Sequence, residues 1–491
     1  MSGELERLAS NCIFPGFEGP TVPDWLRRQL ATGLGGVVLY AWNVESREQL
    51  RALTDGLRSE RSDLVLAIDE EGGDVTRLEA STGSSYPGNA ALGVVDDIEL
   101  TERVAASLGA ELAAAGVNLD LAPVADVNTN AQNPVIGIRS FGADAELVAR
   151  HVAAFVRGLQ DAGVAACAKH FPGHGDTTVD SHLALPVVER LDDSALTPFR
   201  AAIEAGTQAI MSAHIVVLQR GNTPATMSRS LLHDVLRGEL GFSGLVVTDA
   251  LEMKAISATV GVEEGAVRAI AAGADALCLG HDLFDDVVTG VRRALVAAVE
   301  AGRVSEERLA EAAAHVETVA TWAAAARGAA PVDRAVGRDA AQRALRIDGD
   351  VRLVRPACVV ELVPEVGMAA GRLSQLPGEW FQAAAPGTEL RRFEHESGVQ
   401  DVALDGRQLV VIVRDAHRHP WERAMTESLI SRSDADDAIV IEIGLPGWTP
   451  SGAATYVRTY GAARVNVESA AEALYSGPRR GVEQSGSSPG S

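Results

Sequence analysis

LVVTDALEMKAI, residues Leu245–Ile256, is the stretch whose reading decides the fold. Leu245–Thr248 is a short apolar, β-branched run without alternation, which predicts a strand buried on both faces. Asp249 follows it directly, and helical spacing takes over beyond. Strand, charged turn and helix in that order form the repeating unit of a parallel α/β protein. Working outward, seven more runs read as strands: Asn11–Phe14, Gly36–Tyr40, Leu64–Ile68, Val117–Leu121, Ala165–Ala168, Ala209–Ser212 and Ala276–Leu279. Helical patterns such as Leu100–Ala115 and Ala145–Ala162 lie between them, the latter stopped by Gly163. Eight such units predict an α/β fold with a (β/α)8 TIM-type barrel over residues 1–327.

Residues 328–345 read as a linker, because helical periodicity lapses around Gly328, Pro331 and Gly337. A smaller α/β/α sandwich domain is expected over 346–477. Its strands are expected at Cys358–Leu362, Leu409–Val413, Ala438–Ile443 and Arg464–Val467, its helices at Trp421–Ser431 and Ser469–Tyr475. The tail 478–491, PRRGVEQSGSSPGS, is too polar to pack and is expected to be disordered.

Composition narrows the function. Of 491 residues, 46% are hydrophobic and 22% charged, enough to bury large cores. The net charge of −24 argues against nucleic acid or an anionic membrane as partner, since both need a basic footprint. The opening MSGELERLASNCIF has no basic stretch followed by a long apolar run, so no secretory signal and a cytoplasmic location are expected. No stretch approaches the roughly 18–20 apolar residues of a membrane span. Cys12, Cys167, Cys278 and Cys358 are far apart and set in apolar runs, which suggests buried reduced thiols. Oligomeric state leaves no imprint on the pattern.

In a (β/α)8 barrel the chemistry sits beyond the C-terminal ends of the strands. Strand three runs into Asp69, with Arg77 close behind. Strand four leads to Pro123, Asp126 and, after a loop, Arg139. Strand five ends at Lys169–His170 and opens KHFPGHGDTTVDSH, reaching Asp180 and His182. Strands six, seven and eight give His214, Asp249 and His281. Loops are polar in any protein, but the joint placement on one rim favours a site. Asp249 could act as nucleophile, general base or metal ligand, or simply cap the following helix. Asp180 and His182 share one side of an extended segment, so the carboxylate can orient the imidazole as a proton shuttle; an exposed turn is the plain alternative. Pro172, Gly173 and Gly175 would let this loop move as a lid.

His170, His174, His182 and Asp249 could in principle ligate a divalent metal, but Pro172 and Gly173 make a shared helical face between His170 and His174 unlikely. No metal and no cofactor is expected. Lys169, Arg139 and Arg77, near Asp69, offer donors suited to sugar hydroxyls, or else ordinary ion pairs. Only two lysines, Lys169 and Lys254, survive against forty-one arginines, and both fall in these motifs. A surviving lysine can mark a place where a compact ammonium is required.

Together IDEEGGDVTRL, NPVIGIRSFG, KHFPGHGDTTVDSHLALP and VVTDALEMKAI, with the opening PGFEG and GLGGVVLYAWN, resemble the β-N-acetylglucosaminidase branch of family 3 glycoside hydrolases. The resemblance covers essentially the whole barrel. It implies a retaining hydrolase with Asp249 as nucleophile and His182, oriented by Asp180, as general acid and then base. It also implies that Asp69, Arg139, Lys169 and His170 hold the sugar on the non-leaving side, with Arg77 and Met253 in matching motifs. The implied substrate is a GlcNAc-containing oligosaccharide or muropeptide, met during peptidoglycan recycling. Two departures stand out: Asp74 follows the double glycine where the family commonly has a basic residue, and the second domain looks short. Phosphorolysis of the same β-glycosides is an alternative, because a neutral histidine would not repel phosphate. A metal-dependent barrel hydrolase and a non-catalytic sugar-binding barrel are the remaining readings.

Overall fold

Short side chains at helix starts divide the first 344 residues into repeated units. Ser46, Asp97, Asp144 and Ser305 each accept a hydrogen bond from a backbone N–H three residues on, fixing where the helices after them begin. Between the helices run β1 (Ile13–Pro15), β2 (Gly36–Leu39), β3 (Val65–Ile68), β4 (Leu119–Asp120), β5 (Ala165–Phe171), β6 (Ala209–Ser212), β7 (Leu245–Thr248) and β8 (Leu277–Gly280). The structure, a computed structural model, describes residues 2–179, 184–281, 284–326, 328, 330–350, 352–364, 377–385, 387–395, 402–433 and 437–475. The expected tail therefore lies outside the described residues.

β2 to β7 form one parallel sheet in chain order, and β1 pairs in parallel with β8. A parallel bridge between Val247 and Ala276 joins β7 to β8. Gly35 N–H donates to Ser10 O at 3.2 Å, tying the approaches to β2 and β1. The sheet curls: one buried cluster draws Phe14, Val38, Val65, Leu119, Cys167, Met211, Val247 and Cys278, one residue from each strand. The alternate residues pack outward into the helices, in the larger cluster that holds Val37, Leu66, Ile210 and Val246. This is a curled parallel sheet of the (β/α)8 type, with the eight strands where the apolar runs placed them.

The described chain divides into two compact units. One holds the residues up to Ala344 together with Thr459–Asn466; the other holds the described residues between Leu345 and Arg458 and from Val467 onward. Helix Arg334–Ala344 corrects the linker reading, since Val336, Ala340 and Ala341 are buried. Gly337 weakens helical propensity but is needed for fit, because a Cβ there would come within 2.2 Å of Ser85 O.

The second unit is built on a six-stranded sheet. Its strands are β9 (Arg346–Asp348), β10 (Ala357–Leu362), β11 (Glu389–Phe393), β12 (Gln408–Val413), β13 (Ile439–Glu442) and β14 (Thr455–Arg458). Their order in space is β9-β14-β13-β12-β10-β11, all parallel except β9 against β14. Arg464–Val467, read as a strand, instead opens helix Arg464–Tyr475. Buried Val467, Ala470, Ala471 and Leu474 continue at helical spacing, which outweighs the local Val-Asn-Val alternation.

Candidate active site

Asp69 stands one residue beyond β3 and Lys169 lies within β5, so the sheet brings both to the C-terminal rim. Lys169 Nζ donates to Asp69 Oδ1 at 2.6 Å and lies 2.7 Å from Glu71 Oε1. Arg139, brought in by the loop after β4, holds Glu71 with two bonds, Nε to Oε2 at 2.9 Å and Nη2 to Oε1 at 2.7 Å. Its Nη2 also lies 3.5 Å from His170 Nε2. His170 Nδ1 is 2.7 Å from Asp126 Oδ2, which leaves Nε2 facing the arginine. Arg77 Nη2 is 3.6 Å from Asp69 Oδ2. Five of the expected residues, Asp69, Arg77, Arg139, Lys169 and His170, therefore share one connected network with Glu71 and Asp126.

The network is almost dry: Lys169 is 2% exposed. Burial opposes its charge, yet the carboxylates of Asp69 and Glu71 outweigh that cost and hold the ammonium above its usual range. Glu71 is held well below the ordinary carboxylate range, because Arg139 and Lys169 overcome its desolvation. Asp69 is lowered as well, by Lys169 and Arg77 against burial. The two carboxylates are thus fixed as anions and the cations beside them as donors, a polar floor with set hydrogen-bond directions. Behind it Glu70 accepts from Arg77 N–H and Leu78 N–H at 2.8 and 2.9 Å, shaping the turn after β3. Its own burial pushes its carboxyl up to about 7.

Asp249 is half-buried at the end of β7, and its backbone N–H donates to Ser212 O at 3.1 Å on β6. Its Oδ1 accepts from Ala250 N–H at 2.8 Å. The helix-capping alternative is not realised, because the next helix begins at Lys254 with Met253 at its N-cap. His214 Nε2–H donates to Ala250 O at 3.0 Å, with Nδ1 2.8 Å from Thr226 Oγ1, so it braces the backbone behind Asp249. Met253 is buried and adds apolar surface. Of the two lysines, Lys169 fits the idea of a required ammonium, whereas Lys254 is exposed.

Asp180 and His182 lie outside the described residues. The loop leading to them is tied down rather than loose. Asn133 Nδ2 donates to His174 O at 2.8 Å, Asn130 Nδ2 donates to Thr177 O at 3.2 Å, and His174 N–H donates to Asp126 Oδ1 at 2.6 Å. These bonds fasten residues 174–177 of this loop to the loop after β4. Burial lowers the His174 imidazole to about 4, so it stays neutral beside Thr177.

Glu71 has no strand-end position to nominate it; the pair of consecutive glutamates after β3 is its one signal in the sequence. Asp126, on the rim after β4, is the partner that orients His170, a role its position in the sequence does not reveal. Asp74, the departure in the glycine turn, accepts from Ala462 N–H at 3.1 Å. With Glu71, Arg139, Asn89 and Gly461 it borders a small pocket.

Residues 16–319 match the model of the glycosyl hydrolase family 3 N-terminal domain. The chain is 39% identical over 269 residues to β-hexosaminidase A of Pseudoalteromonas piscicida, covering 49% of this chain and 45% of that protein. It thus spans less than half the length of that relative. With the β-hexosaminidase of Bordetella avium it shares 37% identity over 270 residues, 52% of this chain and 76% of that one. Among solved structures, a family 3 β-N-acetylglucosaminidase from Paenibacillus sp. superposes with a TM-score of 0.85 at 33% identity, covering 96% of each chain. The chain belongs to family 3 of the glycoside hydrolases, on the branch that holds these β-N-acetylhexosaminidases.

Proposed function

We propose that the protein is a retaining exo-β-N-acetylglucosaminidase that removes terminal β-linked N-acetylglucosamine from cell-wall (peptidoglycan) fragments in the bacterial cytoplasm. The observation that carries this reading is the buried Asp69–Lys169–Glu71–Arg139 floor on the rim where Asp249 ends β7. Fixed anions and donors suit sugar hydroxyls, and a carboxylate at the same strand ends suits attack on an anomeric carbon.

In the first step an Asp249 oxygen forms a bond to the anomeric carbon as the bond to the leaving oxygen breaks. His182 imidazolium, oriented by Asp180, gives that oxygen its proton. In the second step the now neutral His182 takes a proton from water, whose oxygen displaces Asp249 and restores the β configuration. Asp69, Arg77, Arg139, Lys169 and His170 hold the sugar, and Met253 lines its apolar side. No step in this scheme calls on a metal or cofactor. Free, buried thiols at Cys12, Cys167, Cys278 and Cys358 suit a reducing compartment. Among the described residues, no helix is long and apolar enough to cross a membrane.

The test is a panel of aryl β-glycosides, N-acetylglucosaminide, glucoside and xyloside, assayed with and without phosphate. The expected result is preferential, phosphate-independent release from the N-acetylglucosaminide. Sugar-1-phosphate formation would make phosphate the acceptor, and preference for the glucoside would overturn the substrate assignment.

A further inference from the structure

Beyond β2 and β8 the rim carries a second built feature that the scheme above does not use. Trp42 is 40% exposed, yet its indole is fixed: Nε1–H donates to Phe17 O at 2.8 Å. The next residue clamps the turn, for Asn43 Nδ2 donates to Phe17 O at 3.0 Å and Gly19 O at 2.7 Å while its Oδ1 accepts from Tyr40 N–H at 2.8 Å. Trp42 stacks on Tyr40, with centroids 4.9 Å apart and planes 13° apart, and the His281 ring leans on it at 4.8 Å. His281 is in turn held by Glu252, whose Oε1 is 2.9 Å from Nδ1 and also accepts the His281 backbone N–H at 2.9 Å.

Two glycines make room for this assembly. A Cβ at Gly16 would meet the Tyr40 ring at 2.6 Å, and one at Gly280 would meet the Glu252 carboxyl at 2.0 Å. Leu39 of β2 pairs with Ile68 of β3, so Tyr40 and Asp69 leave adjacent strand ends and the stack borders the polar floor. Glu252 lies three residues past Asp249. An exposed flat aromatic face, held rigid at the edge of a carboxylate-bearing rim, is complementary to the C–H face of a pyranose ring.

We infer that Trp42, backed by Tyr40 and His281, is a stacking platform for the sugar on the leaving-group side of the scissile bond and sets preference for a saccharide aglycone. The inference rests on the glycosidase reading above and adds the aglycone class to it. A buried floor holds the sugar that is transferred; the exposed, preorganised indole takes the ring that departs.

The test compares N,N′-diacetylchitobiose with methyl β-N-acetylglucosaminide, whose aglycone has no ring, in wild type, Trp42→Ala and Trp42→Phe. The ratio of kcat/KM for disaccharide over methyl glycoside should fall about tenfold in Trp42→Ala, mainly through KM, and recover most of that in Trp42→Phe. Should the alanine variant fail to fold, Trp42→Leu, which keeps apolar bulk without the flat face, carries the same comparison. An unchanged ratio, with activity kept or lost equally on both substrates, would overturn the platform while leaving the glycosidase reading standing. Wild type that cleaves neither substrate would overturn that reading, and the platform with it.

Discussion

Both units place carboxylates at or just beyond the C-terminal ends of parallel strands, and Asp69 with Glu71 is treated in the opposite way from Glu442. In the first, Asp69 and Glu71 are surrounded by Lys169, Arg77 and Arg139 and held as anions. In the second, Glu442 at the end of β13 accepts from Asp415, Ala416 and Gly444 N–H at 2.8, 3.2 and 2.7 Å, and burial pushes its carboxyl up. From helix Pro420–Arg432, Glu422 accepts from the N–H of Arg414, just beyond β12, at 2.9 Å, and burial pushes it up to about 8. Strand ends thus serve in one place to present fixed charges and in another to fasten turns, as Glu70 also does behind the polar floor. Position at a strand end nominates a residue; the cations around it decide whether it is equipped for chemistry.

Removing the cation at the centre of the first arrangement should have the largest effect. Lys169→Met leaves two buried carboxylates short of their shared donor. It is expected to lower kcat/KM on an aryl N-acetylglucosaminide by about 10³-fold and folding stability by about 3–5 kcal/mol. Steady-state kinetics and denaturant unfolding check the two separately. Glu71→Gln keeps the shape but weakens the bidentate hold on Arg139, and a misplaced floor should cost about 10²-fold in kcat/KM. Equal activity in either variant would mean that the network is structural, like its counterpart in the second unit.

The strands were legible because a strand buried on both faces is an unbroken apolar run, and all eight runs of the first unit overlap the observed strands, with bounds within three residues. Strands with mixed faces were not: Glu389–Phe393 is only half-buried along its length and reads as polar. Arg464–Val467 misled because four residues of alternation mimic a strand, while the helical repeat shows only over twelve. At the site, Asp69, Lys169, His170 and Asp249 followed from strand-end placement alone. Glu71 did not, because its importance comes from Arg139, which is 68 residues away in sequence and close only in space.

A smaller effect, of opposite pH sign for Asp69 and Glu71 than for Glu422, comes from titration. Asp69 and Glu71 have folded pKa values below their ordinary ones, so their contribution is present at neutral pH and lost as pH falls below about 4. Glu422 is raised from 4.5 to about 8, so its contribution is full below about 4.5 and lost as pH rises through about 8. Glu422→Gln keeps an acceptor for Arg414 N–H and should narrow the difference in thermal midpoint between pH 5 and pH 9 by several degrees. An unchanged difference would show that Glu422 is already ionised in the folded protein.

Asp249→Asn gives the most direct measurement of the central claim, because it keeps the shape at the end of β7 and removes the attacking charge. Turnover of 4-nitrophenyl β-N-acetylglucosaminide should fall by about 10⁴-fold or more in a variant that unfolds at the wild-type temperature. A folded variant that releases nitrophenol at the parent's rate would contradict the account.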